Sequence, residues 1–435
     1  MRAALALFLL AALIGCGCGS VAGAQSPRQT TTHGQTTTRA QTTTRVRTTT
    51  RARTTPSAGP GAAITATDRL ALDLLPRLGP GANAVLSPYS IEMALAMVDQ
   101  GARGQTEAQI DRLLGTSSPA ALAAANRALA TALRAAVSDH GSGGPQLDNA
   151  DSLWVQSGFP LSSSFTTSLA DNFAAPPQPT DFASAPDTAR QNINAWVADH
   201  TQNLIQNLMP PGTITAQTDL VLANAIYLKA RWQMPFPTSL TQDSSFFPDG
   251  APSVQVPFMT QSSPVSLPYA SQSGYRAVEF PYRSSSLSLL AIMPTPGTVS
   301  RYEGGLTPAR LGAIVASLRS TPLQIYLPKF TLSLHSELNG VLGALGMPLA
   351  FSNASDLSGI TRATKLKIQA VEHAAVLKVD EAGTVAAAAT GVSIAPTAIA
   401  APSPTTLRLD HPFLLFLRDD ATGAVLFAAR VANPA

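Results

Sequence analysis

The chain has 435 residues, of which 45% are hydrophobic and 13% charged, which is enough for one large core or for two or three domains. Seven of the 29 basic residues and none of the 26 acidic ones lie in the first sixty positions, so the remainder carries 22 basic against 26 acidic residues. The net charge of +3 therefore belongs to the N-terminal segment. Nucleic-acid binding has little support, because the body has no basic patch with interleaved aromatic residues.

Residues 1–24 are typical of a secretory signal peptide, in which Arg2 precedes an apolar run, Ala3–Ile14, too short for a permanent membrane span. Two processing sites compete. Leu13-Ile-Gly-Cys16 resembles a bacterial lipobox, which would lipidate Cys16, and Ala22-Gly-Ala24 resembles an ordinary signal-peptidase site. We favour the lipobox because its cysteine directly follows the apolar run. The segment predicts an exported protein, extracellular or in the cell envelope, whose membrane contact would be a lipid anchor alone.

Residues 25–61 repeat Thr-Thr-Thr-Arg and related units, a composition that cannot bury enough apolar surface to fold. We expect a disordered linker that leads to a folded domain over residues 62–435. Both cysteines, Cys16 and Cys18, precede that domain. It therefore has no disulfide to stabilise it and no thiolate to act as a nucleophile or a metal ligand.

The first part of the domain predicts helices around one short strand. Thr67–Leu78 has helical apolar spacing, and Asn83–Ser87 is typical of a buried strand. Ser87 followed by Pro88 indicates a helix start, with Ser87 as the N-cap. Thr106-Glu-Ala-Gln109 predicts a capping box at the start of the next helix.

The middle of the domain predicts a helix, a strand and an amphipathic helix, in the order Ser118–Val137, Asp151–Gln156 and Thr188–Leu208. The inner side of the amphipathic helix would carry Ile193, Trp196, Val197 and Leu204. A long buried strand follows at Leu220–Trp232. Asn224 is polar within that apolar run, so it needs a buried hydrogen-bond partner.

An uncharged stretch between Glu381 and Arg408 joins two segments with strand composition, Leu366–Asp380 and Leu407–Arg418. Composition alone favours an Ala/Pro linker or a short Ala-rich helix. However, a loop of about twenty-five residues inside a compact domain is uncommon and is usually functional. Because nothing in the stretch ionises and its first part has only small side chains, it could enter a sheet as a fully buried strand.

The start of this stretch resembles the hinge of a serpin reactive-centre loop. Asp380-Glu-Ala-Gly-Thr-Val-Ala-Ala-Ala-Ala-Thr390 has the acidic residue, the Gly-Thr pair and the small residues of that hinge. Asn83-Ala-Val-Leu-Ser-Pro-Tyr-Ser-Ile91 and Gly101-Ala-Arg-Gly-Gln-Thr106 resemble the family's N-terminal pattern, and further motifs follow in order through residues 65–434. The chain is similar to a bacterial exported serpin. This resemblance implies an α+β fold with three β-sheets, eight or nine helices and an exposed reactive-centre loop.

The resemblance also implies which residues carry the function. The shutter beneath the opening sheet would consist of Ser87, Ser90, Asn224 and His373. The breach, at the top of the sheet where the loop inserts, would consist of Trp232, Lys329 and Glu381. The hinge would consist of Glu381, Gly383, Thr384, Ala386, Ala387, Ala388 and Ala389. Counting the usual loop length from Glu381 places the reactive bond between Thr397 and Ala398. A count back from Pro412-Phe413 reaches Ala401 instead.

The function implied is inhibition of serine proteases, without catalytic residues, metal or other cofactor. A target protease would form a covalent acyl complex with a monomeric inhibitor. Small residues around the reactive bond favour elastase-like or subtilisin-like targets. No Gly-x-Ser-x-Gly, His-Glu-x-x-His or Gly-x-x-x-x-Gly-Lys pattern supports an enzyme. The alternative is a non-inhibitory serpin, a carrier or chaperone on an envelope lipoprotein. Val385 departs from the inhibitory pattern, since many inhibitory members have Glu there.

Overall fold

A computed structural model describes residues 59–138, 144–384 and 404–435, which together form nine α-helices and sixteen β-strands. The helices are α1 (Gly61–Leu74), α2 (Pro88–Asp99), α3 (Gly104–Leu114), α4 (Pro119–Ser138), α5 (Ser163–Phe173), α6 (Pro186–His200), α7 (Val299–Gly304), α8 (Pro308–Ser317) and α9 (Asn339–Ala344). Short 3₁₀ turns occur at Leu75–Arg77, Thr238–Leu240 and Pro348–Phe351. The strands are β1 (Ala84–Leu86), β2 (Gln146–Gln156), β3 (Gln178–Thr180), β4 (Leu220–Arg231), β5 (Gln242–Phe246), β6 (Val254–Thr260), β7 (Val265–Gln272), β8 (Tyr275–Pro281), β9 (Leu287–Pro294), β10 (Arg319–Pro328), β11 (Phe330–Glu337), β12 (Ala370–Val379), β13 (Gly383–Thr384), β14 (Thr405–Arg408), β15 (Phe413–Asp419) and β16 (Val425–Val431).

The strands form two hydrogen-bonded sheets. The smaller sheet has six strands in the order β11-β12-β13-β4-β2-β3, and β12 also pairs with β4 directly. The larger sheet has ten strands in the order β1-β16-β15-β9-β8-β7-β10-β6-β5, with β14 beside β10. β10 joins two parts of this sheet, since its first half pairs with β7 and its second half pairs with β6 and β14. The predicted α+β fold is confirmed, and the third predicted sheet is joined to the second through β10.

α2 is the central helix of the body, because every one of its residues is buried. It packs between the sheets, in contact with β2 and β4 on one side and β16 on the other. Ser87 is its N-cap, as predicted, and the Ser87 hydroxyl oxygen accepts a hydrogen bond from the Ser90 amide at 3.2 Å. Pro88 occupies the first turn, where its missing N–H leaves no group unsatisfied. The cap thus fixes the start of α2 directly beneath the smaller sheet.

Two local predictions are wrong. α6 ends at His200 instead of continuing to Leu208, because Gln202 and Asn203 adopt positive φ angles of 51° and 61°, and Leu204 is 43% exposed. The capping box at Thr106 is absent, since α3 begins at Gly104. The Thr106 hydroxyl oxygen accepts a hydrogen bond from the Asp356 amide at 3.0 Å instead. The Thr106 side chain therefore makes a tertiary contact instead of the helix cap that the local sequence pattern predicted.

Two predicted segment bounds also differ from those in the structure. Gly61, which composition assigned to the end of the linker, is the first residue of α1. Leu407–Arg418, predicted as one strand, contains the end of β14 and nearly all of β15, on either side of Pro412. A proline cannot donate to a strand ladder, so the chain changes partners there, from β10 to β9 and β16. Within the described ranges, no helix has the length and apolar character needed to cross a bilayer.

Candidate functional site

The hinge residues Gly383 and Thr384 form β13, a two-residue strand in the smaller sheet. β13 lies between β12 and β4, where Thr384 is opposite Val379 on one side and Ala230 on the other. At the other end of the same two strands, β12 pairs directly with β4, residues 370–375 against 221–226. Thr384 is 1% exposed, so the start of the loop is already buried within the sheet.

Gly383 is required by its close contact with β4. Its φ of +153° is rarely adopted by other residues. A Cβ at this position would lie 2.8 Å from the Cα of Arg231 and would clash with the Ala230 carbonyl oxygen. The glycine of the Gly-Thr pair therefore lets the chain turn into the sheet against the backbone of β4.

The breach residues Lys329 and Glu381 form an ion pair beside the hinge, with Lys329 Nζ 2.9 Å from Glu381 Oε2. Thr241 Oγ1 donates a second hydrogen bond to Glu381 Oε1 at 2.9 Å. Burial alone would raise the pKa of Glu381, but hydrogen bonds from Lys329, from a backbone amide and from Thr241, together with the Lys329 charge, outweigh it and hold the pKa below its ordinary value. The Lys329 side chain is 41% exposed and the Glu381 side chain 11%, so solvent screens this pair from one side.

The third breach residue, Trp232, holds the turn that leads into β13. Its indole Nε1 donates to the Asp380 carbonyl at 2.9 Å, and the Asp380 carboxylate accepts from the amides of Ala382 and Gly383 at 3.0 and 3.2 Å. Trp232 also stacks on Tyr282, with ring centroids 4.7 Å apart. The turn before the hinge is therefore fixed at its carbonyl, its carboxylate and its amides.

Tyr282 is a site residue that the sequence reasoning missed. Its hydroxyl lies 2.5 Å from Thr384 Oγ1, and both side chains are buried. Burial raises the pKa of Tyr282 far above its ordinary value, so the phenol keeps its proton for this hydrogen bond. The sequence signal was its place in Ala277–Tyr282, one of the further segments that resemble the family pattern. The structure places it directly against the hinge.

The four shutter residues meet in one buried hydrogen-bond network at the start of α2. Ser90 Oγ donates to Asn224 Oδ1 at 2.8 Å, and His373 Nδ1 lies 2.5 Å from the same oxygen. The Ser87 amide donates to His373 Nε2 at 3.1 Å, which leaves the ring proton on Nδ1. Ser87 Oγ donates to the Leu426 carbonyl at 2.8 Å. The network thus joins α2, β4, β12 and β16.

His373 is a neutral structural residue in this network. Burial, assisted by nearby His335, lowers the pKa of His373 to about 3, so the ring stays uncharged at physiological pH. Neither shutter hydroxyl is bonded to the imidazole, since Ser87 and Ser90 donate to Leu426 and Asn224. The arrangement therefore lacks the serine–histidine contact that nucleophilic catalysis requires.

Asp151 on β2 is a further partner that the sequence reasoning missed. Its Oδ1 accepts from Asn224 Nδ2, and its Oδ2 accepts from Asn149 Nδ2 at 2.5 Å. Burial raises the pKa of Asp151 well above its ordinary value despite these two bonds. The amide of Asn224 is thereby satisfied on both its oxygen and its nitrogen, as a buried amide in an apolar strand requires.

The remaining predicted site residues lie outside the described ranges. These are the hinge residues Ala386, Ala387, Ala388 and Ala389, the reactive-bond residues Thr397 and Ala398, and the lipidation residue Cys16. In the described part of the chain, no group of three or more His, Cys, Asp or Glu side chains could hold a metal ion.

These features, a hinge strand between β12 and β4 above a buried polar network, define a protein of the serpin class. The family model for "Serpin (serine protease inhibitor)" matches residues 65–434. The chain therefore belongs to the serpin family.

Three proteins illustrate the similarity. Iripin-2 of Ixodes ricinus is 34% identical over 373 residues, which is 84% of this chain and 92% of that protein. The leukocyte elastase inhibitor of Bos taurus is 33% identical over 383 residues, 85% of this chain and 98% of that protein. The solved structure of Serpin48 from Tenebrio molitor is 27% identical, with a TM-score of 0.74, and the match covers 86% of this chain and 97% of that one.

Proposed function

We propose that this serpin inhibits serine proteases as a suicide substrate. The protease's serine hydroxyl attacks the carbonyl carbon of Thr397, and an ester forms between them. The peptide bond to Ala398 breaks, and the proton passes through the protease to the new amino group of Ala398. The freed loop then inserts between β12 and β4 and carries the protease with it before water can hydrolyse the ester.

One observation carries this proposal: β13 already occupies the top of the gap between β12 and β4. Each further residue that inserts gains ladder hydrogen bonds on both sides, and alternate side chains enter the buried face of the sheet. The stretch that follows Thr384 has no charge before Arg408, so no ionised group has to enter the sheet. The native fold is then a kinetic trap, held by the barrier to opening the sheet.

The test is a single cut in the loop. The protein is nicked within residues 391–401, and its thermal unfolding midpoint is compared with that of the intact chain. A large rise in the midpoint is expected, because the cut loop inserts as an added central strand. An unchanged midpoint would favour the alternative, a non-inhibitory carrier or chaperone of the same fold.

For the target, we propose elastase-like or subtilisin-like proteases. Every residue from Thr397 to Ala401 is small or aliphatic, which leaves the buried carboxylate of a trypsin-type pocket unpaired and underfills a chymotrypsin-type pocket. A leukocyte elastase inhibitor is among the relatives. The protein is incubated separately with elastase, subtilisin and trypsin. A denaturant-stable complex with either of the first two is expected.

The same experiment locates the reactive bond. The C-terminal peptide released by denaturing the complex is sequenced, and a new N-terminus at Ala398 supports the count from Glu381. An N-terminus beyond Ala401 supports the count from Pro412-Phe413. A stable complex with trypsin alone contradicts the target assignment.

We also propose that the protein is exported and lipid-anchored at Cys16, on the basis of its apolar leader and lipobox-like residues. Metabolic labelling with a radioactive fatty acid should mark the wild-type protein and leave Cys16→Ala unlabelled. Equal labelling of both, or of neither, contradicts the anchor.

A further inference from the structure

α2 carries two carboxyl groups in a helix that is otherwise almost entirely apolar. Glu92 and Asp99 are seven residues apart, about two helical turns, so they lie along one side of α2. Both residues are 0% exposed. Such residues are almost never fully buried unless they are paired, so their partners decide their charge.

Neither carboxyl oxygen of Asp99 accepts a hydrogen bond from an N–H or a hydroxyl group of the described residues, and the Asp111 carboxyl on α3 lies within hydrogen-bonding reach of it. The charged groups that face Asp99 are Asp111 and Glu107 on α3, together with Arg103. Arg103 Nη1 donates to the carbonyls of Gln100 and Ala102 at 3.1 and 2.5 Å instead. Two carboxyls within hydrogen-bonding reach of each other cannot both ionise at low cost, so one of them keeps a proton for that bond.

Glu92 is similarly placed on the face toward α4 and β2. Its Oε1 accepts from Asn126 Nδ2 at 2.9 Å, and its Oε2 has no partner among the described residues. The titratable group near Glu92 on β2 is Asp151. Tyr89, on the same helix as Glu92, is close enough to feel the charges of Glu92, Asp151 and Arg134 on α4. Among the described residues, no lysine, arginine or histidine side chain forms an ion pair with Glu92, Asp99 or Asp151.

We propose that protons held by Glu92, Asp99 and Asp151 keep α2 packed beneath the smaller sheet, so that the native fold weakens as pH rises above neutrality. Because Ser87 caps α2 and Ser90 lies in its first turn, loosening of α2 after loss of these protons would also loosen the shutter. Asp151 makes the link direct, since it accepts a hydrogen bond from Asn224. This inference concerns stability and does not depend on whether the protein inhibits a protease.

The direction follows from the shifted titrations. Burial raises the pKa of Glu92 from 4.5 to about 8 and, with Asp111 and Glu107 nearby, that of Asp99 from 3.8 to about 8. The unfolded chain releases these protons near the ordinary values, whereas the folded chain retains them. The stabilisation from these carboxyls is therefore complete below about pH 4 and is lost as pH rises toward about 8. His373 acts in the opposite direction below about pH 6.5, because burial lowers its pKa to about 3 and the unfolded chain then binds a proton that the folded chain excludes.

The experiment measures thermal unfolding midpoints of the full chain at about pH 6.5, 7.5 and 9 for wild type, Glu92→Gln and Asp99→Asn, a range in which His373 is neutral in the folded chain. Asp243→Asn, at an exposed position of β5, is the matched control. The wild-type midpoint should fall by roughly 5 °C or more across this range. Glu92→Gln and Asp99→Asn should each flatten the fall, whereas Asp243→Asn should not. A flat wild-type profile, or an unchanged slope in both variants, would overturn the proposal.

A second measurement does not depend on the variants' ability to fold. At neutral pH, the infrared spectrum of the wild-type protein should contain the C=O stretch of protonated carboxylic acids, which disappears when the chain is unfolded by urea at the same pH. Absence of that band from the folded protein would also overturn the proposal, because the carboxyls would then be ionised in the native state.

Discussion

The two ends of the gap between β4 and β12 are held in opposite ways. At the breach, the strands are separated by β13, and the contacts include an ion pair whose lysine is 41% exposed. At the shutter, the strands pair directly, and the side chains of Asn224 and His373 are fully buried and uncharged. Solvent can replace a lost contact at the breach and cannot at the shutter. Insertion of the first loop residues therefore requires little free energy, and the main barrier to full insertion lies at the shutter.

The largest expected effect is at the hinge. Thr384→Arg should abolish inhibition and leave a plain substrate, because an unpaired guanidinium would have to enter the buried position between Val379 and Ala230. The measurement is the fraction of protease trapped in a denaturant-stable complex. Thr384→Ser, which keeps the hydroxyl near Tyr282, is the control and should still trap the protease. Trapping by Thr384→Arg would show that this end of the gap tolerates charge.

The next effect is at the shutter. Asn224→Ala removes the partner of Ser90, His373 and Asp151 together, so it should lower the free energy of unfolding by about 3 kcal/mol. The midpoint of the first urea transition measures this loss. Conversion to an inserted or polymeric form should also accelerate on mild heating. If Asn224→Ala lowered the free energy of unfolding by less than a breach substitution does, the comparison between the two ends would be reversed.

A smaller effect is expected at the breach. Lys329→Ala should cost about 1 kcal/mol or less, since the pair is screened on its lysine side. Glu381→Lys places a second positive charge beside Lys329 and removes the acceptor of Thr241. It should therefore promote polymerisation to a greater extent than Lys329→Ala does. Size-exclusion chromatography after mild heating separates the two variants. A monomeric Glu381→Lys would count against a guarding role for the pair.

An effect of similar size is expected at Tyr282. Tyr282→Phe keeps the ring that stacks on Trp232 and removes the hydrogen bond to Thr384, at a cost of about 1 kcal/mol. If that bond restrains the hinge, the variant should form its protease complex faster. Stopped-flow kinetics of complex formation is the measurement. A rate equal to that of wild type would mean that the hydroxyl stabilises the fold without restraining insertion.

Local sequence signals were sufficient for some parts of this site. The cap at Ser87 and Pro88 follows from chemistry within one helical turn, and the apolar surroundings of Asn224 already required a buried partner. The pairing of Lys329 with Glu381 came from resemblance, because no local pattern connects residues so far apart in the chain. Asp151 and Tyr282 were missed because their roles depend on the side chain opposite them across a sheet. Leu204 was misplaced because the two left-handed residues before it reverse the chain.

The position of β15 and β16 has a consequence for biosynthesis. These strands lie side by side inside the larger sheet, between β1 and β9, and every residue of both is buried. They are nevertheless made after all the other described strands. During synthesis, the apolar surfaces of β1, β9 and α2 therefore stay exposed until β15 and β16, which cover them, leave the ribosome. A nascent chain stalled before Phe413 should be a chaperone client, however well its helices have formed.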